Sequence, residues 1–200
     1  MKLLPLELPL DSPYAPPVIW TIGHSTRSWE DFRATLDRHA IEAIADVRRF
    51  PGSRRHPQFS QTLMKDSLAR DGREYLWLPS LGGRREALPD SRNTAWRNLS
   101  FRGYADHLGS EEFAEGLFEL LMLGEGLSTA IMCAEAVWWH CHRGLIADVL
   151  CSIGVKVFHI TDSAASVIHP LTPPARILDG VLTYVPAASD QLDLSDLEST

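Results

Sequence analysis

Five short apolar runs, separated by stretches with helical spacing, restrict this chain more than any other feature. Val18-Ile-Trp-Thr-Ile22 is apolar and β-branched, is closed by Gly23, and reads as a buried strand. Residues 41–47, 74–78, 129–133 and 155–160 repeat the pattern. Helix signals lie between them. Ser28 stands as an N-cap with Asp31 at the third helical position, and Phe32, Leu36 and His39 continue the segment. Further helices are expected at 61–70, around 104–108, over 111–123, and at 142–153 with Gly154 as the stop. Residues 79–100, rich in Gly, Arg and Asn, read as loop. Strands alternating with helices specify an α/β fold. The expectation is a single three-layer domain, with a mainly parallel sheet of about five strands and helices on both faces.

Length and composition agree with one core. The chain has 200 residues, 44% of them apolar and 22% charged, which excludes disordered, collagen-like, coiled-coil and disulfide-miniprotein classes. No apolar run approaches the ~18 residues of a membrane span, so no membrane partner is expected. Pro5, Glu7 and Pro9 interrupt the nearest thing to a signal segment, and a cytoplasmic location follows as the expectation. Cys133, Cys141 and Cys151 fit reduced thiols better than a disulfide framework. Residues 1–16 read as a Pro-rich lead, 17–188 as the α/β domain, and 189–200 as an acidic, disordered tail. The sequence does not fix an oligomeric state.

The formal charge of −7 conceals a basic third. Residues 48–102 hold eleven Arg and one Lys against five acidic residues. The arginines cluster in loops, Arg48-Arg49-Phe-Pro-Gly-Ser-Arg54-Arg55 and Gly82-Gly83-Arg84-Arg85, which solvated helix faces do not explain. A basic segment inside an acidic protein points to a local anion site. Arginine binds phosphate or carboxylate with a planar fork, which marks Arg48, Arg54, Arg55, Arg84 and Arg143 as candidate ligands of a small anionic molecule. Gly82 and Gly83 would let the backbone approach it closely.

Ligands of such sheets sit outside the carboxyl ends of the strands. His24, Asp46 with Arg48, Cys133 with Glu135, and His159 with Asp162 all fall at or just beyond expected strand ends. Asp46 and Arg48 alternate and share a face, as an ion pair orienting Arg48 or as a carboxylate for a ribose hydroxyl. Glu135 needs a partner, which Arg48 or Arg143 would supply. The run from Cys133 through Cys141-His142-Arg143 reads as strand, short loop and helix start. A helix N-terminus with neighbouring positive charge depresses a thiol's pKa, so thiolate character is expected at Cys141 and inertness at Cys151, on an apolar helix face. The catalytic candidates are Cys141 or Cys133 as nucleophile, His24 or His142 for proton transfer, and Glu135 or Asp46 as orienting carboxylate. Trp138 and Trp139 either stack on a base or cover the core. No cofactor is identified. Zinc is the cofactor alternative, because Cys133, His140, Cys141, His142 and His24 are soft ligands. It is disfavoured: the Cys-x7-Cys spacing matches no compact knuckle, and Arg143 would repel a cation.

Taken in order, Thr21-Ile-Gly-His-Ser25, Asp46-Val-Arg48, Ser53-Arg54 with Phe59, Leu81-Gly-Gly83, Tyr104-Ala-Asp106, and Cys133-Ala-Glu135 through Cys141-His-Arg143 form a specific set. The chain resembles, over about residues 19–160, the bacterial and archaeal family catalogued as domain of unknown function four-eight-eight. The resemblance implies site positions at His24, Asp46, Arg48, Arg54, Tyr104, Cys133, Glu135, Cys141, His142 and Arg143. It implies no reaction. The function expected from the residues is a cysteine-dependent hydrolase or transferase acting on a small phosphorylated or nucleotide-like compound. A nucleic-acid-binding module using residues 48–102 is the alternative, opposed by the acidic net charge and by only three Lys in the chain. A thiol-based redox or metal sensor is the second alternative.

Overall fold

β1 (Val18–Gly23) starts a run of alternating elements: α1 (Trp29–Arg38), β2 (Ala43–Asp46), α2 (Gln61–Arg70), β3 (Glu74–Trp77), α3 (Leu99–His107), α4 (Glu111–Gly126), β4 (Thr129–Cys133), α5 (Arg143–Ser152) and β5 (Lys156–Ile160). Three short strands follow, β6 (Ser166–Ile168), β7 (Arg176–Leu178) and β8 (Val181–Thr183). This is a computed structural model, and it describes residues 17–52, 55–162 and 164–187. The Pro-rich lead, the acidic tail and Arg54 lie outside the described residues.

The caps explain where helices begin. The Ser28 hydroxyl accepts from the Asp31 amide at 3.0 Å and donates to its carboxylate at 2.8 Å, a reciprocal lock on the first turn of α1. Asn98 and Ser110 cap α3 and α4 in the same way, each accepting amide hydrogens of the first turn.

The sheet runs β3-β2-β4-β1-β5-β6 and is parallel except for β6, which pairs antiparallel with β5. Alternation along the strands divides the core between two faces. Ile22, Ile44, Ala130, Met132 and Ile160 pack with Phe32, Leu36, Met64 and Leu68 of α1 and α2. Ile19, Ala45, Ile131, Cys133 and Val157 pack with Tyr104, Leu117, Leu120, Leu145 and Leu150 of α3, α4 and α5. The result is three layers, as expected. Register then sets the site. Gly23 lies beside Cys133, and Asp46 beside Met132, so the ends of β1, β2 and β4 open together at one edge.

Three features depart from the sequence reading. The sheet has six strands rather than about five, because β6 adds an antiparallel edge. β7 and β8 form a separate hairpin around Asp179-Gly180, both at positive φ (50° and 77°), as an Asp-Gly turn of mirror-image type requires. α3 starts at Leu99, five residues before the expected helix, because Asn98 supplies the cap. Among the described residues no helix is long and apolar enough to cross a membrane.

Candidate functional site

Asp46 ends β2 completely buried, and a buried carboxylate requires donors. Its Oδ1 accepts from the Arg48 amide at 3.1 Å and from Arg48 Nε at 2.8 Å. Its Oδ2 accepts from Arg48 Nη2 at 2.5 Å and from the Tyr75 hydroxyl at 2.7 Å. Arg48 Nη1 donates onward to the Phe59 carbonyl at 2.8 Å and to His24 Nε2 at 3.2 Å. His24 is therefore the acceptor, and its Nδ1 donates to the Ser25 carbonyl at 2.9 Å. Burial first, and the Arg48 charge second, hold the His24 pKa down to about 4. Its ring stacks on Phe59 with centroids 4.3 Å apart. Asp46 is consumed by the ion pair, the first of the two roles expected for it, and has no surface left for a ribose.

The sulfur chemistry lies on the other face of the sheet. Cys133 and Cys141 are buried free thiols whose sulfurs are 2.8 Å apart. Around Cys141 Sγ stand His142 Nδ1 at 3.5 Å and Arg143 Nε at 3.5 Å. Because His142 Nε2 donates to the Val47 carbonyl at 3.0 Å, Nδ1 carries the lone pair that faces the thiol. Burial opposes charge on Cys141, but the Cys133 thiol donating to it, the charge His142 gains on taking the Cys141 proton, and the Arg143 charge bring its pKa well below the ordinary thiol value. Cys133 moves the opposite way, raised by that hydrogen bond and by burial. Here the sequence expectation needs correction in its cause. α5 begins at Arg143, and the amide that reaches the paired sulfurs belongs to Glu135 and goes to Cys133 at 3.3 Å, so side chains rather than helix amides act on Cys141. Cys151 is half-buried instead of sealed, and burial pushes its thiol up.

A cleft of about 380 Å³ opens at this edge, lined by Arg48, Arg49, Gly83, Arg84, Tyr104, Cys133, Glu135, His140, Cys141 and His142. Both sulfurs and Arg48 thus reach one cavity from opposite faces. Arg143 does not line it. It is 1% exposed, and donates from Nη2 to the Glu135 carbonyl at 2.6 Å and from Nη1 to Thr21 Oγ1 at 3.5 Å. Its expected role as an anion ligand gives way to one of holding the loop and the thiol. The Glu135 carboxylate is exposed, so Arg143 partners its backbone and not its acid. His24 and Arg55 are absent from the lining, and Gly82 packs on Arg49 instead. Gly83 matters more, because a Cβ there would sit 2.9 Å from His142 Nδ1. The Tyr104 hydroxyl donates to the Leu81 carbonyl at 2.7 Å. Trp138 stacks on His159 at 4.2 Å, and Trp139 is exposed. Sequence reasoning missed Arg49, Asn98, Ser100 and Phe101 as lining residues. The doublets at Arg48-Arg49 and Arg84-Arg85 were visible, but not which member turns inward. Arg85 pairs with Glu112 instead.

The two sulfurs, separated by seven residues in sequence, meet in the fold. Cys133, Cys141 and His142 are the one group among the described residues whose metal-binding atoms lie within 4.8 Å of one another. Tetrahedral zinc, with Zn–S near 2.3 Å, would hold two thiolates roughly 3.7 Å apart. The two sulfurs are closer than that, 2.8 Å apart in direct contact.

Fold and site together define an α/β domain with a paired-cysteine site at the carboxyl edge of its sheet. The chain belongs to the family described as Domain of unknown function DUF488, whose model matches residues 28–150. Neither a curated protein nor a solved structure matches it.

Proposed function

We propose that the protein is a cysteine-dependent hydrolase or transferase for a small anionic, phosphorylated or nucleotide-like substrate, with Cys141 as nucleophile. The observation that carries the reading is the Cys141 sulfur itself, held by the Cys133 thiol at 2.8 Å and by His142 and Arg143 at 3.5 Å each. His142 Nδ1 takes the Cys141 proton, and the thiolate attacks an electrophilic carbon or phosphorus. As the sulfur bond forms, the bond to the leaving group breaks and His142 returns its proton to that group. Water or a second substrate then releases the acyl or phosphoryl group from sulfur. Arg49 and Arg84 at the cleft supply attraction for the anion. The test uses p-nitrophenyl phosphate and p-nitrophenyl acetate with the native protein. Nitrophenolate release that requires Cys141, with the adduct mapped to that residue by mass, is expected. Release unchanged by Cys141→Ser would overturn the assignment.

The short sulfur separation favours a second reading, in which the pair cycles between dithiol and disulfide. A peroxide would take two electrons and two protons from the pair as the disulfide forms, and leave as two waters or as an alcohol and a water. In that case Cys133→Ser abolishes reversible oxidation, whereas the nucleophile reading predicts that Cys133→Ser retains ester turnover.

A further inference from the structure

Behind the thiols, on the same face of the sheet, runs a second buried polar chain that the proposed chemistry does not touch. Asp148, in the middle of α5, is completely buried and accepts from the Thr172 amide at 2.8 Å, the Thr172 hydroxyl at 2.5 Å and the Tyr184 hydroxyl at 2.8 Å. His169 Nε2 donates to it at 2.9 Å. His169 Nδ1 is then left to accept from His159 Nε2 at 2.8 Å. His159 Nδ1 accepts from the Thr21 hydroxyl at 2.6 Å, and Thr21 Oγ1 accepts from Arg143 Nη1 at 3.5 Å. With the carboxylate ionised and both imidazoles neutral, one tautomer assignment satisfies every bond, each donating in the direction of Asp148. Trp138, stacked on His159 and edge-on to His169, closes the chain against the site loop.

We propose that Thr21, His159, His169 and Asp148 are positioning residues that fix the Arg143 guanidinium so that its Nε points at Cys141. This rests on the reading of Cys141 as the reactive thiolate. A buried guanidinium needs acceptors, and Arg143 finds them in Cys141 Sγ, the Glu135 carbonyl, Thr21 Oγ1 and the Cys133 sulfur beside it. The first two lie on the site loop. Thr21 ties the group to β1, and the bond from its hydroxyl to His159 fixes the rotamer in which its lone pairs face Arg143. Thr172 and Tyr184, outside the residues matched by the family model, anchor the far end of the chain. The thiol's reactivity is thereby linked to the segment that follows β6. The groups facing Cys141 from the packed elements are Cys133 of β4, His142 and Arg143 at the start of α5, Tyr104 of α3 and His159 of β5.

The experiment measures Cys141 alkylation by iodoacetamide against pH, mapped by peptide mass, in the full chain. Thr21→Val keeps the shape and removes the hydroxyl. Its midpoint is expected to rise by about one pH unit, a tenfold loss of thiolate below both midpoints, while Thr21→Ser returns it to the wild-type value. A folded Thr21→Val protein with an unchanged midpoint would overturn the proposal. Should that variant fail to fold, nitrogen NMR of the wild-type histidines decides it. A neutral, Nε2-protonated ring at His159 at pH 7 is expected, and an imidazolium or the opposite tautomer at His159 breaks the chain. Failure of Cys141 to label in the wild type is a different result, because it removes the nucleophile reading on which this rests.

Discussion

Two opposing effects act on the one proton of Cys141. Burial at 4% exposure favours the neutral thiol, and the Cys133 hydrogen bond, the Arg143 charge and the His142 ring beside the sulfur favour the thiolate. Arg143→Ala removes a charge and a donor together, and should raise the labelling midpoint of Cys141 by roughly one pH unit or more. The buried histidines obey the same physics with the opposite sign. Burial and Arg48 hold His24 near pKa 4, and burial with His169 and Arg143 holds His159 near 2, against an unfolded value of about 6.5. Their folded values are lowered, so the stability they contribute is fully present above pH 6.5. As pH falls the unfolded chain binds protons that the native rings refuse, at about 1.4 kcal/mol per pH unit for each histidine. For His24 the loss reaches about 3 kcal/mol by pH 4. Urea titrations at pH 7, 5.5 and 4.5 should show this loss, and a shallower one in His24→Asn. Equal slopes would mean that His24 titrates as an exposed histidine.

At the level of elements, the site depends on two close approaches. A Cβ at Gly23 would collide with the Glu135 carbonyl, the acceptor that Arg143 uses, where β1 and β4 end side by side. Gly23→Ala should cost about 3 kcal/mol by urea titration, because backbone must move. Gly83→Ala meets only the edge of the His142 ring. It should leave stability nearly intact while slowing Cys141 labelling, a split that separates site geometry from folding. Much of this was legible in the chain. The helix at 61–70 and the strand at 129–133 have the bounds expected from their apolar patterns. The Ser28 cap follows from its spacing to Asp31. The Asp179-Gly180 hairpin was signalled by its turn dipeptide and passed over. The Asp46–Arg48 pair followed from their alternation, whereas the inward turn of Arg143 was not legible. Sequence marks an arginine as a cation, whereas burial against Asp46 or against a carbonyl decides whether it greets a ligand or holds the scaffold.

Across the whole molecule, an acidic body carries a cleft that Arg48, Arg49 and Arg84 line. Arg48 is spent on Asp46, which leaves Arg49 and Arg84 to face an anion. The Arg49→Ala/Arg84→Ala double variant should lose the preference of Cys141 for iodoacetate over iodoacetamide, as should wild type at 1 M salt, where the Debye length shrinks to ~3 Å. An unchanged ratio would place the attraction elsewhere. The central claim is that Cys141 is a thiolate held ready in that cleft, and its pH profile tests it most directly. Native protein is alkylated with iodoacetamide between about pH 5 and 9, and the three cysteines are followed by peptide mass. Cys141 is predicted to label first, with a midpoint below the free-thiol value of ~8.5, ahead of Cys133 and Cys151. Labelling of Cys133 or Cys151 first, or of no cysteine before the protein unfolds, would contradict the account.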